Sequence, residues 1–203
     1  MSYDKQMKFV TPDVYDSWYG RVAAFEDSSR LDAAYALYQK HLEGLKGVLG
    51  ADVLALARLP GTDDGLIVEV HHVISQHTLL LILRCGDQQM GYYDLSISYE
   101  GAEITPRDQR TLAKIARTTK DSRRYQSDFF HHEIDRTDEG CIEHRLLFHG
   151  PLWFAVRCRQ LRWMKIDRPN RDLPRLPDRY PGGPTRPPTR MRVRHLRSGP
   201  ARS

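Results

Sequence analysis

The spacing of apolar positions changes twice along the chain. Val14, Tyr15, Trp18, Tyr19 and Val22 recur at helical intervals. Thr11-Pro12-Asp13 stands ahead of them: a capping hydroxyl, a proline at the first helical position and an acid in the first turn. A second helix is predicted from about Ser29 to Leu49, with Leu31, Ala34, Tyr35, Tyr38, Leu42, Leu45 and Leu49 as its stripe and Gly50 as its stop. A short third helix, Ala51 to Leu59, ends at Pro60.

After the turn cluster Pro60–Gly65 the period becomes two. Leu66, Val68, Val70, His72 and Ile74 are expected on one face of a strand. Thr78–Leu83 is apolar at every position after its threonine, which predicts a central strand covered on both sides. Tyr93, Leu95, Ile97 and Tyr99 alternate with Asp94, Ser96 and Ser98, as in a half-buried antiparallel strand. Thr105-Pro106-Arg107-Asp108 repeats the helix-start signal, and Leu112, Ile115 and Ala116 follow it. A second strand set is predicted at 128–135, 141–149 and 152–166, the last with a possible break near Arg159-Gln160. Ile142, His144, Leu146 and Phe148 should share a face. The fold class is α+β: N-terminal helices on an antiparallel meander sheet of about six strands, in two three-strand sets joined by a helix. Residues 1–60 form the helical section and 61–167 the sheet section of one domain.

Charge divides the chain differently. Residues 1–167 carry 21 Lys/Arg against 24 Asp/Glu, a net −3. Residues 168–203 carry 10 Arg and 2 Asp, a net +8, together with eight of the 12 prolines. So few large apolar residues stand there that this tail is expected to be disordered. Its first reading is a solvated extended segment. A frame-derived coding artefact comes next, and a nucleic-acid tether through arginine–phosphate pairing third. No segment has the length and apolarity of a membrane span, and the start lacks the apolar core of a secretory signal. Three scattered cysteines without a CxxC pair argue against a disulfide framework, so a cytoplasmic setting is expected.

The order of elements, the opening Met7-Lys8-Phe9-Val10-Thr11 with Tyr15, the strand carrying His71, and Glu143-His144-Arg145-Leu146-Leu147-Phe148 resemble an uncharacterised bacterial family, domain of unknown function 4085. The resemblance spans about Met7 to Ile166 and leaves out the Arg/Pro tail. It implies a natural start at Met7, and it implies no activity, because the family has none assigned. The family's pattern places an acid after the histidine, where His72 stands in this chain.

Nine histidines are many for this length. His71, His72, His131, His132 and His144 lie on predicted strands, beside Glu133. If the two strand sets pair, one histidine of each doublet could face a common site for a divalent metal, the basis of a metal-dependent hydrolase. No HExxH spacing fixes such a site, and no GxSxG elbow or phosphate loop exists. Surface and core histidines are the ordinary alternative. Arg107, Arg110, Lys114 and Arg117 fall on one face of the predicted fourth helix, a surface for an acidic partner or simply a solvated face. The leading expectation is a non-catalytic protein-binding domain, immunity-like or accessory, without a cofactor. The hydrolase, and nucleic-acid binding through residues 168–203, are the alternatives.

Overall fold

The computed structural model describes residues 7–19, 28–63, 65–87, 91–118, 128–150 and 152–168. Three helices come first: α1 (Pro12–Tyr19), α2 (Ser28–Gly44) and α3 (Ala51–Ala57). Strands β1 (Leu66–Val73), β2 (Thr78–Asp87) and β3 (Gly91–Glu100) form a meander. Helix α4 (Pro106–Thr118) leads to a second meander, β4 (Phe129–Arg136), β5 (Ile142–Phe148) and β6 (Leu152–Cys158). A last strand, β7 (Gln160–Arg168), ends the described chain. The α+β class with antiparallel strands is therefore as the pattern predicts.

Among the described residues the strands number seven, in two sheets. One has the order β1-β2-β3-β7 and the other β4-β5-β6. The predicted strand 152–166 divides at Arg159, since a single strand of that length would outrun its neighbours. Its second half leaves the small sheet and pairs with β3, from Tyr92↔Arg168 to Glu100↔Gln160. Arg168 thus belongs to β7 and grips the buried Asp94 through Nε and Nη2, each at 2.8 Å. The expected disordered tail otherwise lies outside the described residues, as does Val22.

Alternation explains most of the packing. Leu79, Leu81 and Leu83 of β2 and Leu95, Ile97 and Tyr99 of β3 point to the inner face and are buried. Ile142, His144, Leu146 and Phe148 of β5 meet them from the small sheet, all in the main core cluster but for His144. The link is direct, because Tyr99 Oη lies 2.9 Å from His144 Nδ1. Helix α4 buries Leu112, Ile115 and Ala116 and packs on both β6 and β1. Helix α3 packs on β7 and β4, and Trp163 Nε1 donates to the carbonyl of Asp52 at 2.7 Å.

Two expectations about faces fail for a stated reason. Strand β1 shifts register between Ile67 and Glu69. A bulge turns the following side chains over, so Ile67 and Val70 are buried while Ile74, in a 3₁₀ turn beyond the strand, is exposed. The outer face of β2 is also less covered than its composition suggests. Leu80 and Ile82 stay half-buried, and their row continues to the exposed Met164 and Ile166 of β7. Strand β4 shifts register between Phe129 and His131, near its own start, as β1 does. Aligned on these bulges, the two histidine doublets do not coincide.

The small sheet is covered on its outer side by the N-terminal segment and by α1 and α2. Met7, Val10, Tyr15, Leu31 and Ala34 pack there against Phe130, Leu147, Trp153 and Ala155. Because β4 is an edge strand, its free backbone needs partners. Tyr38 Oη of α2 accepts from Ile134 N at 2.7 Å. The Glu133 carboxylate, fully buried, accepts from Lys8, Phe9 and Val10 N–H at 2.7, 2.9 and 2.8 Å.

Candidate functional site

Adjacent residues of β4 serve opposite sides of the small sheet. His132 turns inward, and its Nδ1 sits 2.9 Å from His144 Nε2. Tyr99, His144 and His132 therefore form one buried chain of hydrogen bonds. One nitrogen of the His132–His144 contact must carry a proton and the other must accept it. That pair of nitrogens is thus committed to each other. Burial holds His132 at about 4. Burial, then His132 and Arg145, hold His144 well below its ordinary value. Both rings are neutral near neutral pH.

His131 lies on the other side, edge-on to the rings of Tyr35 and Tyr38 of α2. Burial, with His132 beside it, lowers it to about 3. Glu133 is spent on the N-terminal amides. His71 is in the other sheet, where it pairs with Glu69 at 2.6 Å, and His72 is half-buried on β1. The structure brings together His132 and His144 of the expected metal set and separates them from the β1 doublet. Among the described residues no three His, Cys, Asp or Glu side chains are grouped to hold a metal.

Glu133, Asp135, Glu143 and Arg145 are buried on the small sheet. Lys8 Nζ and His41 Nε2 each lie 3.0 Å from an Asp135 oxygen. Asp135 is held below its ordinary value because hydrogen bonds from Lys8, Arg136 N and His41 outweigh the opposing effect of burial, the largest single influence. Glu143 binds Arg145 and takes Arg157 Nε at 3.3 Å. Arg157 in turn reaches Glu139 at 3.3 Å. These alternating charges run across the sheet toward a cleft.

The cleft lies between the start of α4 and β6, with a volume of about 230 Å³. Thr105, Arg107 and Asp108 form one wall, and Trp153, Ala155 and Arg157 the other. Glu143 and Glu103 also line it. A backbone bridge holds the walls in register: Glu103 N to Arg157 O at 2.8 Å and Arg157 N to Glu103 O at 3.0 Å. The guanidinium of Arg107 covers the Trp153 indole, 4.3 Å from its centroid.

Of the basic residues singled out on α4, Arg107, Arg110 and Lys114 are exposed, and Arg107 alone reaches the cleft. The side chain of Arg117 lies outside the described residues. Sequence reasoning found Asp108 as a capping acid and missed it as a cleft wall. Trp153, Arg157 and the hydroxyl of Tyr99 were missed entirely. A tryptophan on β6 that meets the start of α4, more than 40 residues earlier, leaves no local signal. No helix of the described residues is long and apolar enough to cross a membrane. No family model, curated protein or solved structure matches this chain.

Proposed function

We propose that this protein is a non-catalytic binding domain, immunity-like or accessory in kind, that recognises another protein through the α4–β6 face. The observation that carries the reading is the cleft. Charged side chains surround one indole, which is buried and covered by Arg107, and the floor carboxylate Glu143 is tied to Arg145 and Arg157 rather than available as a base. Stacked arginine and tryptophan are the side chains that most often anchor protein interfaces. The exposed Arg110 and Lys114 continue the same face along α4. The neutral histidines belong to the core, where they are consistent with a structural role.

Affinity capture with the full-length chain from its own cell lysate tests this. The expected result is a stoichiometric protein partner that is lost when Arg110→Glu and Lys114→Glu are combined, with the circular dichroism spectrum still that of the folded protein. Capture of no stoichiometric partner, or of one indifferent to the charge reversal, would overturn the reading.

A further inference from the structure

One residue that lines the cleft carries a buried acceptor without a partner among the described residues. Asp108 is 5% exposed. One half of its carboxylate completes the cap of α4: Thr105 Oγ1 donates to Oδ2 at 2.6 Å, and Asp108 N donates back to Thr105 Oγ1 at 3.1 Å. The other oxygen, Oδ1, has no hydrogen-bond partner among the described residues. Buried carboxylate oxygens are ordinarily satisfied, so an orphan beside a cleft calls for a donor.

The lining gives that donor a sign and a shape. With Arg107 swung out, Glu103, Asp108 and Glu143 face Arg157 and the Arg145 bound to Glu143, which leaves one negative charge in excess. The Trp153 ring already holds a guanidinium, and the one it holds belongs to an exposed side chain on α4 that can swing into solvent. A guanidinium is flat and carries its N–H groups in its own plane. It can cover an indole and reach a carboxylate at the cleft edge together, which a compact ammonium does less well. The volume, about 230 Å³, suits the end of one side chain rather than a larger ligand.

We infer that the cleft is a subsite for a guanidinium group, which takes the place of Arg107 over Trp153 and donates to Asp108 Oδ1. Arg107 is then a resident stand-in that competes with the ligand. This deepens the binding reading above and rests on it for the source of the group, an arginine side chain of the protein partner.

The test titrates the full-length protein with Nα-acetyl-arginine amide by calorimetry, beside the citrulline analogue of the same shape and no charge. The arginine compound should bind and the citrulline compound should not. Arg107→Ala should tighten binding about fivefold or more, because the competitor is gone. Asp108→Asn should weaken it at least tenfold. Should Asp108→Asn fail to fold, the Arg107→Ala result still decides, because that residue is exposed. Equal binding of the two compounds, looser or unchanged binding by Arg107→Ala, or no binding by either protein at 50 mM (on the order of the weakest affinities of interest) would overturn the subsite. An acetyl-Gly-Arg-Gly amide that binds at least as well as the single residue supports a protein source. Tighter binding of free arginine, with both its charged ends, assigns the same chemistry to a small molecule. If no arginine compound binds but a partner is captured through Arg110 and Lys114, the subsite fails and the binding reading survives.

Discussion

Acid should unfold this protein through its buried histidines, and the size of the effect follows from their surroundings. His132 is held at about 4 and His131 at about 3, with His144 also well below its ordinary value. In the unfolded chain each returns to about 6.5. Between pH 6.5 and about 4 the unfolded state therefore binds more protons than the folded one. Stability from these groups is complete above pH 6.5 and is lost as pH falls toward the folded values. Each such histidine contributes about 1.4 kcal/mol per pH unit in that window. His132 and His131 together should cost about 3 to 4 kcal/mol between pH 6.5 and 5, and His144 acts in the same direction. A domain with a stability of about 5–15 kcal/mol would then be near its limit at pH 5. The depressed carboxyl of Asp135 acts in the same direction, but only as pH approaches and passes below its ordinary 3.8, outside this window. Urea titrations at pH 7, 6 and 5, followed by circular dichroism, measure the slope. His132→Gln keeps a hydrogen-bonding side chain for His144 but cannot titrate, so its slope should fall by about one proton. A stability that is flat from pH 7 to 5, or a slope unchanged by His132→Gln, would refute the burial argument.

Other outcomes follow from single residues. Glu133→Ala leaves the amides of Lys8, Phe9 and Val10 without their acceptor. It should cost about 3 kcal/mol or more, with faster hydrogen exchange at those amides as the local readout. Gly86→Ala should destabilise by about 2 kcal/mol or more, measured as a lower urea midpoint. The reason is that Gly86 has φ +88° and an added Cβ would clash with the Gly91 carbonyl oxygen. Dialysis against a strong chelator should leave the melting temperature unchanged, because the two histidines that meet are bonded to each other. A drop of several degrees would restore the metal reading of His132 and His144.

The strands whose faces were legible are those without a break in the pleat. In β3, Tyr93, Leu95, Ile97 and Tyr99 are buried as their spacing predicts, and in β5, buried at every position, Ile142, Leu146 and Phe148 join the main core as expected. The bulges at the starts of β1 and β4 carry no proline or glycine to announce them. On β1 the bulge splits the single face expected for Leu66, Val68, Val70, His72 and Ile74, since one inserted residue reverses the pleat, and on β4 the pattern alone left open which histidine faces inward. The break at Arg159 was visible as excess length, but its consequence, a strand that crosses to the other sheet, depends on long-range pairing with β3. The candidate site was legible in half. Thr105 and Asp108 announce a helix cap, and Arg107 lies on the basic face of α4. What makes a cleft of them is Trp153 and Arg157, brought opposite by the Glu103–Arg157 bridge. Nothing within 40 residues of Asp108 points to that contact.

Which face meets a partner is tested most directly by photo-cross-linking from a genetically placed benzophenone side chain. Arg110, exposed on α4, is one position; Met164, 56% exposed on the outer face of the four-stranded sheet, is the control. A discrete protein adduct in the cell is expected from position 110 and none from position 164. An adduct from 164 alone, or none from either with the folded protein present, would contradict the binding reading.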